Sequence, residues 1–205
     1  MGEVYNWKSN IQNNYFAPIF NVSIWIDNLN ESLIDNLLRI AINNESVYEN
    51  DKWEHYNVFS WDYDDSINLL KEKIKISYLN FCSKLNVKSE KNIWIRGWIY
   101  PQKRGMKLSR HIHAIHENSF LSGNICLTQN NTTTDFDIPY IGWIQIKNEK
   151  GRMTLFPSSL PHAVEELNED TRYTLAFDLI TEKGINYFYT NNTNLKDSLH
   201  LSVPL

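Results

Sequence analysis

The chain has 205 residues, of which 42% are hydrophobic and 21% charged, and its formal charge is −4. That length supports one domain, or one domain with an appendage, around a substantial core. That charge leaves no electrostatic footprint for nucleic acid or an anionic membrane, and no apolar run approaches the roughly 20 residues needed to span a bilayer.

The N-terminal stretch Met1–Asn6 lacks the basic and apolar regions of a signal peptide. Two cysteines, Cys82 and Cys126, are too few for a disulfide scaffold and read as buried thiols in a reducing cytoplasm. A cytoplasmic location is therefore expected.

In chain order, Ala17 to Trp25 reads as a strand entered through Pro18. Asn30, Glu31 and Ser32 offer cap chemistry for a helix over about 32–43, whose apolar positions Leu33, Leu37, Leu38 and Ala41 keep helical spacing. Glu45 to Trp61 is polar and aromatic and reads as loop with one short strand. The clearest helix is about 64–86. Ile67, Leu70, Ile74, Tyr78, Phe81 and Leu85 recur every three or four residues, behind Asp64 and Asp65 where the helix dipole favours anions. That stripe reads as core packing against a sheet.

From Asn92 onward, strand-like runs alternate with turn signals: Ile93–Tyr100, Phe120–Thr128, Gly142–Ile146, Arg152–Phe156 and Thr174–Ile180. This spacing predicts an antiparallel β-sandwich or barrel. The chain thus divides into an α-rich N-terminal portion (1–90), a β core (91–183) and a tail (184–205) with an Asn-rich patch, Asn191 to Asn194.

Chemistry concentrates between His111 and Arg172. Three of the six histidines, His111, His113 and His116, lie within six residues, and His162 follows in the turn Pro157-Ser158-Ser159-Leu160-Pro161. On a strand, His111 and His113 share a face, and His116 faces oppositely unless a bulge or turn intervenes. The Pro-flanked turn can aim His162 back into a barrel mouth. The bland alternative is a solvated histidine patch with a surface turn histidine.

Arg172 enters a strand of alternating apolar residues, where an unpaired buried charge is expensive. With Thr174 on its face it forms a fork suited to a carboxylate. The competing reading is an internal salt bridge. Trp94, Trp98, Tyr140 and Trp143 either shape a pocket or belong to an aromatic core.

These residues carry a resemblance. Trp98, Gly105, the histidine cluster, Ser119-Phe120-Leu121-Ser122-Gly123, Phe156-Pro157-Ser158-Ser159-Leu160-Pro161-His162-Ala163-Val164 and Arg172-Tyr173-Thr174 fall in the order of a known pattern. So does the opening Phe16-Ala17-Pro18-Ile19-Phe20. Over about residues 15–180 the sequence resembles the 2-oxoglutarate/Fe(II)-dependent oxygenases, in particular a group of about 200-residue microbial and phage proteins.

The resemblance implies a double-stranded β-helix of jelly-roll type backed by N-terminal helices. It implies Fe(II), with 2-oxoglutarate chelating the metal and its C5 carboxylate on Arg172 and Thr174, and Ser122 beside the cosubstrate. The implied reaction hydroxylates an amino acid, a peptidyl residue or a small metabolite and releases succinate and CO2.

The departures are specific. The usual His-x-Asp/Glu pair is missing. The ligands implied are His113, His116 and His162, with His111 next and Glu117 as an alternative carboxylate. Ile125-Cys126 replace a frequent Tyr-Tyr, Phe136-Asp137-Ile138-Pro139 replace Asp-Pro-Arg, and Asp178 stands where the group has Asn. Two other readings stay open: a cupin-like three-His metalloenzyme without 2-oxoglutarate, and a non-catalytic binding module. A small-molecule or peptidyl substrate is expected, with no nucleic acid and no membrane; a homodimer is held open.

Overall fold

A computed structural model of the protein describes residues 2–9, 16, 19–50, 56–61, 64–114, 119–191 and 202–205. In chain order it runs β1 (Glu3–Lys8), β2 (Asn21–Asn28), α1 (Glu31–Asn43), α2 (Glu45–Asn50), α3 (Asp65–Leu85), β3 (Ile93–Gln102), β4 (Leu108–His111) and β5 (Leu121–Cys126). There follow β6 (Thr133–Ile138), β7 (Gly142–Lys147), β8 (Arg152–Pro157), β9 (His162–Val164), β10 (Arg172–Thr181), α4 (Glu182–Asn191) and β11 (Val203–Pro204). The described strands form two sheets, a larger one in the order β1-β2-β8-β5-β10-β3-β11 and a smaller one in the order β4-β9-β6-β7. Their pairings are antiparallel, as the jelly roll requires.

The helices end where local chemistry stops them. Asn30 caps α1 by accepting from Leu33 N at 2.9 Å, and Asp64 caps α3 by accepting from Ser66 N at 2.8 Å. α3 closes on Asn86 at φ 54°, with Val87 N donating to Cys82 O at 3.0 Å, a Schellman closure. The inner stripes of α1 and α3 cover the outer face of the larger sheet, where Ile34, Leu37, Ile67, Leu70 and Phe81 share a core with Trp25, Ile125 and Phe177.

Alternation along β10 positions the site. Leu175, Phe177 and Leu179 join that helical core, so Arg172, Thr174, Ala176 and Asp178 face the other way, into the space between the sheets. Phe177 also explains a glycine. Gly123 lies opposite it across β5 and β10, and an added Cβ would sit 2.3 Å from the Phe177 ring and 2.6 Å from Thr154 O. Gly123→Ala is expected to destabilise the fold by about 1–3 kcal/mol through overpacking, read as a lower urea midpoint with unchanged slope. An unchanged midpoint would contradict the packing.

Several sequence expectations need correction. The strand placed at Ala17–Trp25 begins at Asn21 and continues to Asn28, while 17–18 lie outside the described residues. The segment read as loop from Glu45 contains α2 and a 3-10 turn at Val58–Ser60. Within residues 1–90, β1 joins the expected strand, and the two extend the larger sheet. In the tail, α4 follows β10, and β11 pairs with β3. Strands β4, β6 and β9, which the sequence reading did not separate, make up most of the smaller sheet. No helix among the described residues is long and apolar enough to cross a membrane. Cys82 and Cys126 are both free and buried.

Candidate metal and carboxylate site

Between the two sheets lies a partly open cavity of about 270 Å³, just under the usual range for ligand sites. Its lining brings together His111, His113, His162, Arg172, Thr174 and Asp178.

Register places the histidines. His111 ends β4 and His162 starts β9, and they stand directly opposite each other after an irregularity between Leu108 and His111. Their ring centroids are 4.3 Å apart. His113 lies in the bend just beyond β4, held by His113 N and Ala114 N donating to Ser158 O at 2.9 and 3.1 Å. One nitrogen from each of the three rings lies within 4.8 Å of the others.

The hydrogen bonds select the tautomers. Nδ1 of His111 faces Ser109 O at 2.9 Å, Nδ1 of His162 faces Leu160 O at 3.0 Å, and Nδ1 of His113 faces Asp178 Oδ1 at 2.6 Å. Each partner oxygen accepts, so each Nδ1 carries a proton, and Nε2 is the ring nitrogen left to meet a metal. This outer-shell pattern is the one that orients imidazoles on a metal. Burial pushes His162 down to about 3, reinforced by the charge of His113, so it stands neutral. Burial also lowers His111. For His113, burial works downward but the Asp178 charge and hydrogen bond outweigh it and raise the pKa. Burial works upward on Asp178, yet the charge and hydrogen bond of His113, the Ser122 hydroxyl and Arg96 hold its carboxyl below the usual range.

The other end of the cavity is built to receive an anion. Arg172 is 2% exposed. Its Nη1 donates to Gln102 Oε1 at 2.9 Å, and Gln102 is itself fixed by donating to Met106 O at 2.7 Å and Glu165 O at 2.9 Å. Nε of Arg172 and Oγ1 of Thr174 are buried without a hydrogen-bond partner among the described residues. Burial lowers the pKa of Arg172, the Cys126 thiol and Tyr100 oppose it, and no carboxylate among the described residues contributes to its surroundings. Among the described residues, therefore, no internal salt bridge holds it. A buried cation without a counter-ion, beside an orphaned hydroxyl, is costly unless a ligand completes it.

Of the residues singled out from the sequence, His111, His113, His162, Arg172 and Thr174 come together here. His116 and Glu117 lie outside the described residues. Ser122, placed beside the cosubstrate by resemblance, is fully buried and does not line the cavity; its hydroxyl donates to Asp178 Oδ1 at 2.6 Å. Trp98 lines the cavity, whereas Tyr140 and Trp143 are exposed. Gln102 was not foreseen as a site residue, and Asp178 was singled out only as a departure from the group's Asn at a position tied to the substrate pocket. The register of β10 against β5 and β3, which sets Asp178 opposite Ser122 and Arg172 opposite Gln102, is the signal that finds them.

Fold and site define a jelly roll with a three-histidine cluster at one end of a partly open cavity and an arginine at the other. No protein-family model matches the sequence, and no curated protein matches it. Solved structures do match in fold. One is a prolyl-4-hydroxylase from Pseudomonas putida, at 12% identity and TM-score 0.61 over 78% of this chain and 88% of that one. Another is a prolyl hydroxylase from Trichoplax adhaerens, solved with a hypoxia-inducible-factor oxygen-degradation-domain peptide, at 16% identity and TM-score 0.60 over 78% and 84%. A third is SnoN, a non-heme alpha-ketoglutarate-dependent epimerase of nogalamycin biosynthesis, at 11% identity and TM-score 0.57 over 77% of each chain. At these identities the likeness establishes the fold. Two of these proteins are hydroxylases and one an epimerase, so the function of this chain rests on its own side chains.

Proposed function

We propose that the chain is a 2-oxoglutarate- and Fe(II)-dependent dioxygenase that hydroxylates an amino acid, a peptidyl residue or a small metabolite and releases succinate and CO2. One observation carries the reading: a buried arginine with no carboxylate partner among the described residues shares a small cavity with three imidazoles whose ring nitrogens lie within 4.8 Å of one another.

The residues present fit both groups. His111, His113 and His162 would hold Fe(II) through Nε2, since imidazole suits iron. Nε of Arg172 and Oγ1 of Thr174 would take the C5 carboxylate of 2-oxoglutarate, each gaining the hydrogen bond it lacks. When bound, metal and cosubstrate supply oxygen activation, with decarboxylation to succinate and CO2 and two-electron oxidation of the substrate.

The chain's own contribution is geometry and exclusion of water. Trp98, Phe156 and Val164 line the cavity with apolar surface, which strengthens the arginine–carboxylate attraction by displacing solvent. The Nδ1 partners fix the three rings before any ligand arrives.

With Co(II) bound, 2-oxoglutarate is expected to raise the unfolding midpoint, by about 2.7 kcal/mol of linkage when the ligand stands at 100 times its Kd. Consumption of 2-oxoglutarate and formation of succinate are expected to require Fe(II) and oxygen. Metal-loaded protein whose midpoint ignores millimolar 2-oxoglutarate would leave a cupin-like metal site as the better reading.

A further inference from the structure

We propose that Asp178 is the positioning residue of the metal centre, supplying through His113 the negative charge that the three-histidine ligand set lacks. This rests on the metal-site reading above. Three neutral imidazoles leave the full charge of a divalent cation uncompensated, whereas a ligand set with a carboxylate removes one unit. Among the described residues, the ligand cluster contains histidines only. Asp178 lines the same cavity, and it meets the cluster at second hand, with Oδ1 2.6 Å from His113 Nδ1.

Four bonds close a circuit around His113. The His113 ring donates to Asp178 Oδ1 at 2.6 Å. Ser122 Oγ donates to the same oxygen at 2.6 Å and lies 2.9 Å from Ser158 Oγ. The backbone carbonyl of Ser158 then accepts from His113 N at 2.9 Å. The ring and the backbone of one histidine are thus tied together through strand β5, the β8–β9 turn and strand β10. Register fixes the circuit: Ser122 is the direct partner of Asp178 across β5 and β10, and Arg96 is its partner across β3. Asp178 therefore sits between a hydroxyl donor and a cation, which hold its carboxyl in one orientation.

A carboxylate accepting from the far nitrogen of an imidazole makes that imidazole a stronger donor to a metal and locks its rotation. Loss of such an outer-shell partner typically weakens metal binding by about 10- to 100-fold. His111 and His162 have backbone carbonyls in the corresponding place, so the charge reaches the metal through His113 alone.

The test is Co(II) titration of wild type, Asp178→Asn and Ser122→Ala by calorimetry, with unfolding midpoints of the metal-free proteins alongside. Asp178→Asn retains an acceptor oxygen and loses the charge. It is expected to bind one Co(II) about 10- to 100-fold more weakly, and Ser122→Ala is expected to show a smaller loss of the same sign. A folded Asp178→Asn protein with wild-type Co(II) affinity overturns the inference, whatever its midpoint. Wild type that binds no Co(II) overturns the metal-site reading itself.

Should Asp178→Asn not fold, proton spectra of the Co(II)-loaded wild type decide. Three exchangeable, cobalt-shifted imidazole N–H resonances are expected. Ser122→Ala is expected to speed solvent exchange of the His113 resonance only. Two resonances in wild type, or an unaltered His113 exchange rate in Ser122→Ala, would overturn the inference.

Discussion

Arg172→Met is expected to abolish measurable 2-oxoglutarate binding while leaving the fold and the metal site intact. Removing one partner of a buried, hydrogen-bonded charge pair costs about 2–5 kcal/mol, which is roughly a 30- to 4,000-fold loss of affinity. Stability should not follow. The substitution relieves the burial of a cation with no carboxylate partner, worth several kcal/mol. It also strands Gln102 Oε1, whose partner is Arg172 Nη1, at about 1–3 kcal/mol. The two effects oppose, so the unfolding free energy of the ligand-free protein is expected to hold or rise. Calorimetric titration with 2-oxoglutarate, next to denaturant unfolding, separates the cases. Retained affinity with a large loss of stability would make Arg172 a structural residue and remove the main support for an oxygenase. Retained metal chemistry with no response to 2-oxoglutarate in either protein would favour the cupin-like reading.

His162→Ala is expected to produce the complementary result. Structural zinc sites with four ligands bind with about 10–16 kcal/mol, so one imidazole of such a set contributes about 3 kcal/mol, a factor on the order of 100 in affinity. His162 is also the ring closest to its neighbours, with centroids 4.3 Å from His111 and 5.1 Å from His113. Its loss therefore leaves two donors rather than a rearranged three. Co(II) and Fe(II) binding are expected to fall about 100-fold or more, and 2-oxoglutarate binding with them, because the keto acid would lose its second anchor. The variant also opens a void beside Phe136 and Phe156, whose rings lie 5.8 and 4.8 Å from the imidazole, so a modest loss of stability accompanies it. Metal affinity within a few-fold of wild type would mean that the three Nε2 atoms do not share one ion.

The parts of this architecture that were legible in the sequence are those set by local chemistry. α1 and α3 announce themselves by caps at Asn30 and Asp64 and by apolar stripes, and both form within a residue or two of the expected bounds. Strands rich in buried apolar residues, such as β8 and β10, are also clear. Arg172 and Thr174 were readable as a buried pair from alternation alone.

What was illegible depends on pairing. β4, β6 and β9 are short and turn polar residues inward, because they line a cavity: Thr134 and His162 occupy inner positions where alternation predicts aliphatic ones. β11 is two residues long and exists through its partner β3. Which histidines converge was undecidable from spacing, since the irregularity between Leu108 and His111 sets which ring faces His162. Asp178 is 65 residues from His113 and 56 from Ser122, so its role emerges only with the β5–β10 register. At sequence level it was visible only as an unexpected acid.

The central claim is that one cation and one dicarboxylate share this cavity, the first on three imidazoles and the second on Arg172. Anaerobic addition of Fe(II) and then 2-oxoglutarate to the purified protein, followed by visible absorption, tests it most directly. The account predicts a metal-to-ligand charge-transfer band that saturates at one equivalent of each and is missing in both Arg172→Met and His162→Ala. Folded, iron-loaded wild type that stays colourless at saturating 2-oxoglutarate would contradict it.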